Sequence, residues 1–283
     1  DGVTNYYREG MLFKEIEGKT PPSLPLFQKA IENWDSLDAG QKERRHQESK
    51  NFVKSLYQAA SGLLEAGHAA EALTALKRCL KEDESTDHLQ RVFKFFALGK
   101  VNYHLNRFAE ARDALLFAEQ CRGKQPIDYV HELQGRTYLA QGNPQKALEA
   151  VAKVPEPARR PYVRWTEADI LCALGRFEAA CRVLEASAER DNRSRHKALI
   201  RLSRIAYLTA RFEAAREYAA KADAFLREKW GVPCDDALFW KAVSCLRLGD
   251  TAAARTAAEE LRDFHPRYPN LPKLGAALEG HEA

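Results

Sequence analysis

The chain has 283 residues, 45% apolar and 30% charged, enough to bury a core, and no stretch approaches the roughly 20 apolar residues that a membrane-spanning helix needs. Lys and Arg number 44 against 40 Asp and Glu, a net charge of +4 that falls short of the excess carried by a dedicated nucleic-acid binder. Six cysteines, at 79, 121, 172, 181, 234 and 245, include no Cys-x-x-Cys pair. They read as small buried hydrophobes of a reducing compartment, with a cytoplasmic location expected, rather than as a disulfide framework or metal site.

The chain starts at Asp1 with no initiator Met and no signal-peptide pattern, so a segment of a longer protein or a processed form is expected. Residues 1–37 read as a degenerate helical hairpin, a cap. Tyr6 to Ile16 forms one helix, Gly18-Lys19-Thr20-Pro21-Pro22 breaks it, and Ser23 caps a second helix from Leu24 to Trp34. Phe27 and Ala30 take buried positions on that second helix, while Met11 occupies the place of a small residue. Residues 38–48 are polar. Their strong helix formers favour an N-terminal extension of the helix through Phe52, Leu56 and Leu63, with a linker as the alternative.

Six helix pairs are expected over 38–266. Their first helices run roughly 50–66, 89–105, 127–141, 161–174, 194–209 and 235–248. The second helices run roughly 69–82, 108–121, 144–153, 177–189, 212–229 and 251–263. Pro155 and Pro157 cut the third pair short, and Gly231-Val232-Pro233 ends the helix that carries Trp230. Residues 267–283 supply a short closing helix over 273–279 and a tail that frays from Gly280.

Aligning the chain on its inter-helix turns exposes a repeat. The anchors are Gly67, Asn106, Gly142, Gly175, Ala210 and Gly249, separated by 39, 36, 33, 35 and 39 residues. Five positions after each stands an alanine: Ala72, Ala111, Ala147, Ala180, Ala215 and Ala254. Seven positions before each stands a small residue: Ala60, Gly99, Gly135, Ala168, Ser203 and Ala242. Two antiparallel helices approach most closely beside their shared turn, and small side chains let the backbones mesh there. Phe108, Phe177 and Phe212, two positions after their anchors, plug the hairpin end, and Leu76, Leu115, Val151 and Leu184 continue the buried face of the second helices.

Leu98-Gly99 with Tyr103, Phe108 and Ala111 resembles the tetratricopeptide repeat motif. So do Gly135, Tyr138, Gly142 and Ala147, and Gly175 to Ala180. The resemblance spans about residues 49–266. It implies an all-α, right-handed α-α superhelical solenoid of about six to seven helix-turn-helix repeats, whose first helices line a concave surface. Asn102 and Thr251 stand where the family usually places aromatics, and some spacers exceed the family's period. Some members grip a C-terminal carboxylate with lysine–asparagine pairs; the asparagines here do not match, Asn102 lying one step off the inner stripe.

No catalytic constellation stands out: there is no His-Glu-x-x-His, phosphate-binding glycine loop or nucleophile elbow, and the eight histidines are scattered. No enzyme activity, cofactor or metal is expected. The concave lining implied by the resemblance carries Phe96, Lys100, Tyr103, His104, Tyr129, Arg136, Tyr162, Trp165, Lys197, Arg201, Arg204 and Tyr207. Rings supply apolar area and cations pair with carboxylates, which suits another protein's peptide or helix, an acidic segment in particular. His104 is expected as a structural histidine. Lys197, Arg201 and Arg204 share one helical face. They either pair with glutamates such as Glu167 or Glu178 on the neighbouring repeat or face an anion. The leading expectation is a non-enzymatic protein-interaction scaffold. Single-stranded RNA binding along the lining, or a sensor or assembly segment of a larger enzyme or regulator, are the alternatives, with nucleic acid disfavoured by the modest charge.

Overall fold

A computed structural model of the protein describes residues 2–17 and 21–280. Gly18, Lys19 and Thr20 of the expected break, and the tail beyond Gly280, lie outside the described residues. Sixteen α-helices and no strand occur among the described residues, in two compact units, Asp1–Asn143 and Pro144–Ala283. No helix among them is long and apolar enough to cross a membrane.

The first unit holds α1 (Val3–Glu17), α2 (Leu24–Asp35), α3 (Ala39–Arg44), α4 (Ser49–Glu65), α5 (Ala69–Glu82), α6 (Arg91–His104), α7 (Phe108–Gln120) and α8 (Asp128–Ala140). Pairs α1/α2, α4/α5 and α6/α7 pack as hairpins, and the first helices α4, α6 and α8 touch in succession. The second unit holds α9 (Pro144–Ala152), α10 (Pro161–Ala173), α11 (Phe177–Arg190), α12 (Arg195–Leu208), α13 (Phe212–Trp230), α14 (Asp235–Arg247), α15 (Thr251–Phe264) and α16 (Leu271–Gly280). Here α10/α11, α12/α13 and α14/α15 are the hairpins, and α10, α12 and α14 touch in succession. The closing helix α16 buries Leu274 and Leu278 against Leu238, Leu246 and Leu261.

The repeat is written in backbone geometry. Every anchor is left-handed: φ is 88° at Gly67, 57° at Asn106, 75° at Gly142, 70° at Gly175, 56° at Ala210 and 78° at Gly249. Each following N–H reaches back five residues to a helix carbonyl, as in Arg176 to Leu171 at 2.8 Å and Arg211 to Ala206 at 2.8 Å. This closure satisfies carbonyls that a helix end leaves unpaired and turns the chain sharply. Glycine adopts that conformation freely, asparagine tolerates it, and alanine at 210 is strained there.

The aligned small residues are the contact. Ala72, Ala111, Ala147, Ala180, Ala215 and Ala254 are all fully buried. A Cβ on Gly99 would lie 2.7 Å from Leu115 Cγ and 3.3 Å from the Ala111 carbonyl. Ser203 is also fully buried, and its hydroxyl donates to the Ala215 carbonyl on the facing helix at 2.7 Å. A small polar side chain can thus replace alanine where a facing carbonyl accepts its proton.

Two local expectations are corrected. Residues 38–48 do not extend α4. The Asp38 carboxylate accepts from Gln41 N at 2.8 Å while the Gln41 side chain accepts from Asp38 N at 2.9 Å, a capping box that starts a separate helix. The chain then leaves helical geometry at Arg45 and makes a 3-10 turn over His46–Glu48. In the first hairpin the close approach falls at Gly10, whose Cβ would come within 2.7 Å of the Phe27 ring, one position before Met11.

Candidate functional site

Six of the twelve candidate residues fall in each unit. In the second unit the stripe gathers around Trp165. Along α10, Trp165 and Asp169 are four residues apart and share a face; along α12, Lys197, Arg201 and Arg204 do the same. The two helices pack side by side, so the stripes meet. Lys197 Nζ lies 5.3 Å, and the Arg201 guanidinium carbon 5.4 Å, from the Trp165 ring centre. Arg201 Nε donates to Asp169 Oδ2 at 3.2 Å and its Nη1 to the Lys197 carbonyl at 3.1 Å. Arg204 stands 3.9 Å from Asp169 Oδ1, in ion-pair range but beyond a hydrogen bond. The cations therefore meet Asp169, not Glu167, which binds Arg159 at 2.7 Å. Glu167 sits two residues from Trp165, on a different face of α10.

The Trp165 ring packs half-buried against the unit's core, and its buried Nε1 makes no hydrogen bond to protein. Tyr162 is half-buried in the first turn of α10. Tyr207 lies 5.5 Å from Phe212 and 5.5 Å from Trp240 between ring centres. It is thereby built into the hairpin end. Trp240 was missing from the candidates; its signal was its place about two turns before the Gly249 turn. Beneath the stripe, burial pushes the Cys172 thiol up to about 11 despite nearby Arg204, so it stays protonated.

In the first unit the rings pack against one another. Phe96 and Tyr129 meet edge-on at 4.6 Å, and both pack against the core with Tyr103. Tyr129 OH is buried without a hydrogen bond to protein, and burial, with Asp128 adding to it, raises its pKa. Burial, with neighbouring Tyr129, pushes Tyr57 up to about 12. The Arg136 guanidinium covers Tyr103 at 4.8 Å and stands 3.9 Å from Glu132. Partial desolvation, then the charges of Lys100 and Arg136, lower the pKa of His104, which favours its neutral form. Lys100, Tyr103, His104 and Arg136 therefore form one patch, with Phe96 and Tyr129 as its foundation.

An ion pair in the first unit escaped sequence reasoning. Lys94 and Asp83 are 3% and 0% exposed, and Lys94 Nζ donates to Asp83 Oδ2 at 2.7 Å and to Asp87 Oδ1 at 3.2 Å. The Asp83 carboxylate also accepts from Thr86 Oγ1 and from the N–H groups of His88 and Leu89. This network shapes the loop between α5 and α6. All six cysteines are free thiols, and among the described residues no group of three or more His, Cys, Asp or Glu is placed to hold a metal ion.

Tetratricopeptide repeat family models match residues 161–186 and 220–270. No curated protein sequence matches the chain. Among solved structures, a tetratricopeptide repeat protein from Parabacteroides merdae superposes with a TM-score of 0.68 at 11% identity, covering 99% of this chain and 100% of its own. PilW, a type IV pilus biogenesis factor, gives 0.62 at 16% identity over 78% of this chain and 97% of its own. The apo form of RapI gives 0.61 at 12% identity over 98% and 79%. At these identities the likeness is one of fold.

Proposed function

For this chain, built of tetratricopeptide repeats, we propose the role of a non-enzymatic protein-interaction scaffold that holds an acidic segment of a partner protein on the α10–α12 face. The observation that carries the reading is the charge balance around Trp165. Lys197, Arg201 and Arg204 gather around Trp165, and among the described residues one carboxylate, Asp169, pairs with the two arginines. Like charges on one helical face repel, and a partner's carboxylates relieve that repulsion. The half-buried indole adds apolar area beneath the contact. A cytoplasmic location belongs to the same reading. Cys79 and Cys234 are free and buried, which fits small hydrophobes of a reducing compartment.

Calorimetric titration with a short glutamate-rich peptide tests the assignment. Lys197→Glu together with Arg204→Glu should weaken binding by about five- to thirtyfold, since two exposed ion pairs each contribute roughly 0.5–1 kcal/mol. Raising the salt should weaken the wild type in the same direction. Unchanged affinity in the double variant would remove this face as the binding site.

A further inference from the structure

We propose that the partner segment presents two carboxylates about 10 Å apart on one face, with no acidic residue between them. The inference rests on the α10–α12 reading above and concerns which acidic segments fit. Offsets of four and three residues keep Lys197, Arg201 and Arg204 within one narrow stripe of α12, and seven residues of helix separate the outer two by about 10 Å.

The three cations are not equally available. Arg201 is taken: its Nε donates to Asp169 and its Nη1 to the Lys197 carbonyl, and its side chain is only 29% exposed. Arg204 is open: its nearest carboxylate oxygen is 3.9 Å away and its side chain is 53% exposed. Lys197 is exposed, and its ammonium rests over the Trp165 face, a contact that orients it without occupying its N–H donors. Along α12 the pattern is therefore open, closed, open. A partner carboxylate opposite the centre would face Asp169, and two carboxylates in proximity disfavour one another.

A polyproline-II peptide is a suitable ruler, because it has three residues per turn and rises about 3.1 Å per residue. Two glutamates three positions apart then share a face at about 9 Å, whereas separations of two or four place them on different faces. Labelled proline rulers of these three spacings are titrated into the whole chain at low salt and followed by fluorescence anisotropy. The three-position ruler should bind about fivefold tighter than the others, the gain of one further carboxylate contact. Lys197→Ala with Arg204→Ala should erase that difference. On an α-helical ruler, whose first, fourth and eighth positions share one face over about 10 Å, glutamate at the fourth position added to the outer two should give no gain in the wild type but tighten binding to Asp169→Asn, in which the central arginine is released from its carboxylate.

Equal affinity for all three rulers would overturn the spacing and leave the acidic-partner reading standing. A gain from the central glutamate in the wild type would overturn the closed centre. Failure of every ruler and of the glutamate-rich peptide at low salt would remove the underlying reading as well.

Discussion

Replacing Lys94 by methionine tests the buried ion pair of the first unit. Methionine fills much of the same volume but leaves the fully buried Asp83 carboxylate without its cation. Four donors hold that carboxylate: Lys94 Nζ at 2.7 Å, His88 N at 2.7 Å, Thr86 Oγ1 at 2.8 Å and Leu89 N at 3.0 Å. Removing one partner of a buried pair costs about 3–5 kcal/mol, and three surviving hydrogen bonds place this case near the low end, about 3 kcal/mol. Burial by itself pushes the Asp83 carboxyl up; Lys94 and the hydrogen bonds pull it down, and the net shift is downward. The folded state therefore binds this proton less readily than the unfolded one. The associated stability is present above about pH 4, the ordinary carboxylate range, and is lost as pH falls through the folded-state value. Urea unfolding followed by far-UV circular dichroism near pH 7 should show the deficit of Lys94→Met, and near pH 3 the deficit should shrink as the carboxyl protonates. Adding Asp83→Asn should recover about 1–2 kcal/mol near pH 7. A deficit below about 1 kcal/mol near pH 7, or one unchanged near pH 3, would refute a charged carboxylate buried against Lys94.

Further expectations concern the turns, the packing and His104. Ala210→Gly should stabilise the chain by about 0.5–1 kcal/mol, because relief of left-handed strain of roughly 1–2 kcal/mol exceeds the added entropy of the unfolded glycine. Gly175→Ala, at φ 70°, should cost about 1 kcal/mol, and thermal unfolding of both variants checks the pair. Gly99→Ala should lose about 1–3 kcal/mol in urea unfolding, since its Cβ would sit 2.7 Å from Leu115 and 3.3 Å from a backbone oxygen. His104 should titrate below the usual histidine value by NMR, with Lys100→Met or Arg136→Met moving it back up. Because its folded pKa is lowered, the stability it contributes is full above the unfolded value, near 6.5, and is lost as pH falls through the folded value.

Most of the helix boundaries were legible, and the reason is local. Each turn is one left-handed residue with small side chains at fixed offsets, so Gly175, Ala168 and Ala180 announce a hairpin within a dozen residues of sequence. The expected first and second helices of the six pairs end within two residues of the observed ones. Over residues 38–48 helix propensity acts across a window and favours extension, while the Asp38–Gln41 capping box acts at a single point and starts a separate helix. Gly10 carries no such signal, because the first hairpin's closest contact falls one residue before the Met11 position. In the candidate site, the residue types and helix faces were readable from offsets of three and four. How deeply each ring is buried was not, because that depends on the neighbouring helix: Phe96 and Tyr129 spend much of their surface on one another.

By itself the sequence determined an all-α chain of hairpins, their turns and their close contacts, because these follow from interactions between residues near one another along the chain. Tertiary structure decided the charges. Asp169, thirty-two residues before Arg201, becomes its partner only when α10 and α12 lie side by side. Lys94 reaches Asp83 only after an intervening loop has folded back on that carboxylate. An ion pair depends on a few ångströms across helices, and periodicity along one helix places a side chain on a face without saying what stands opposite.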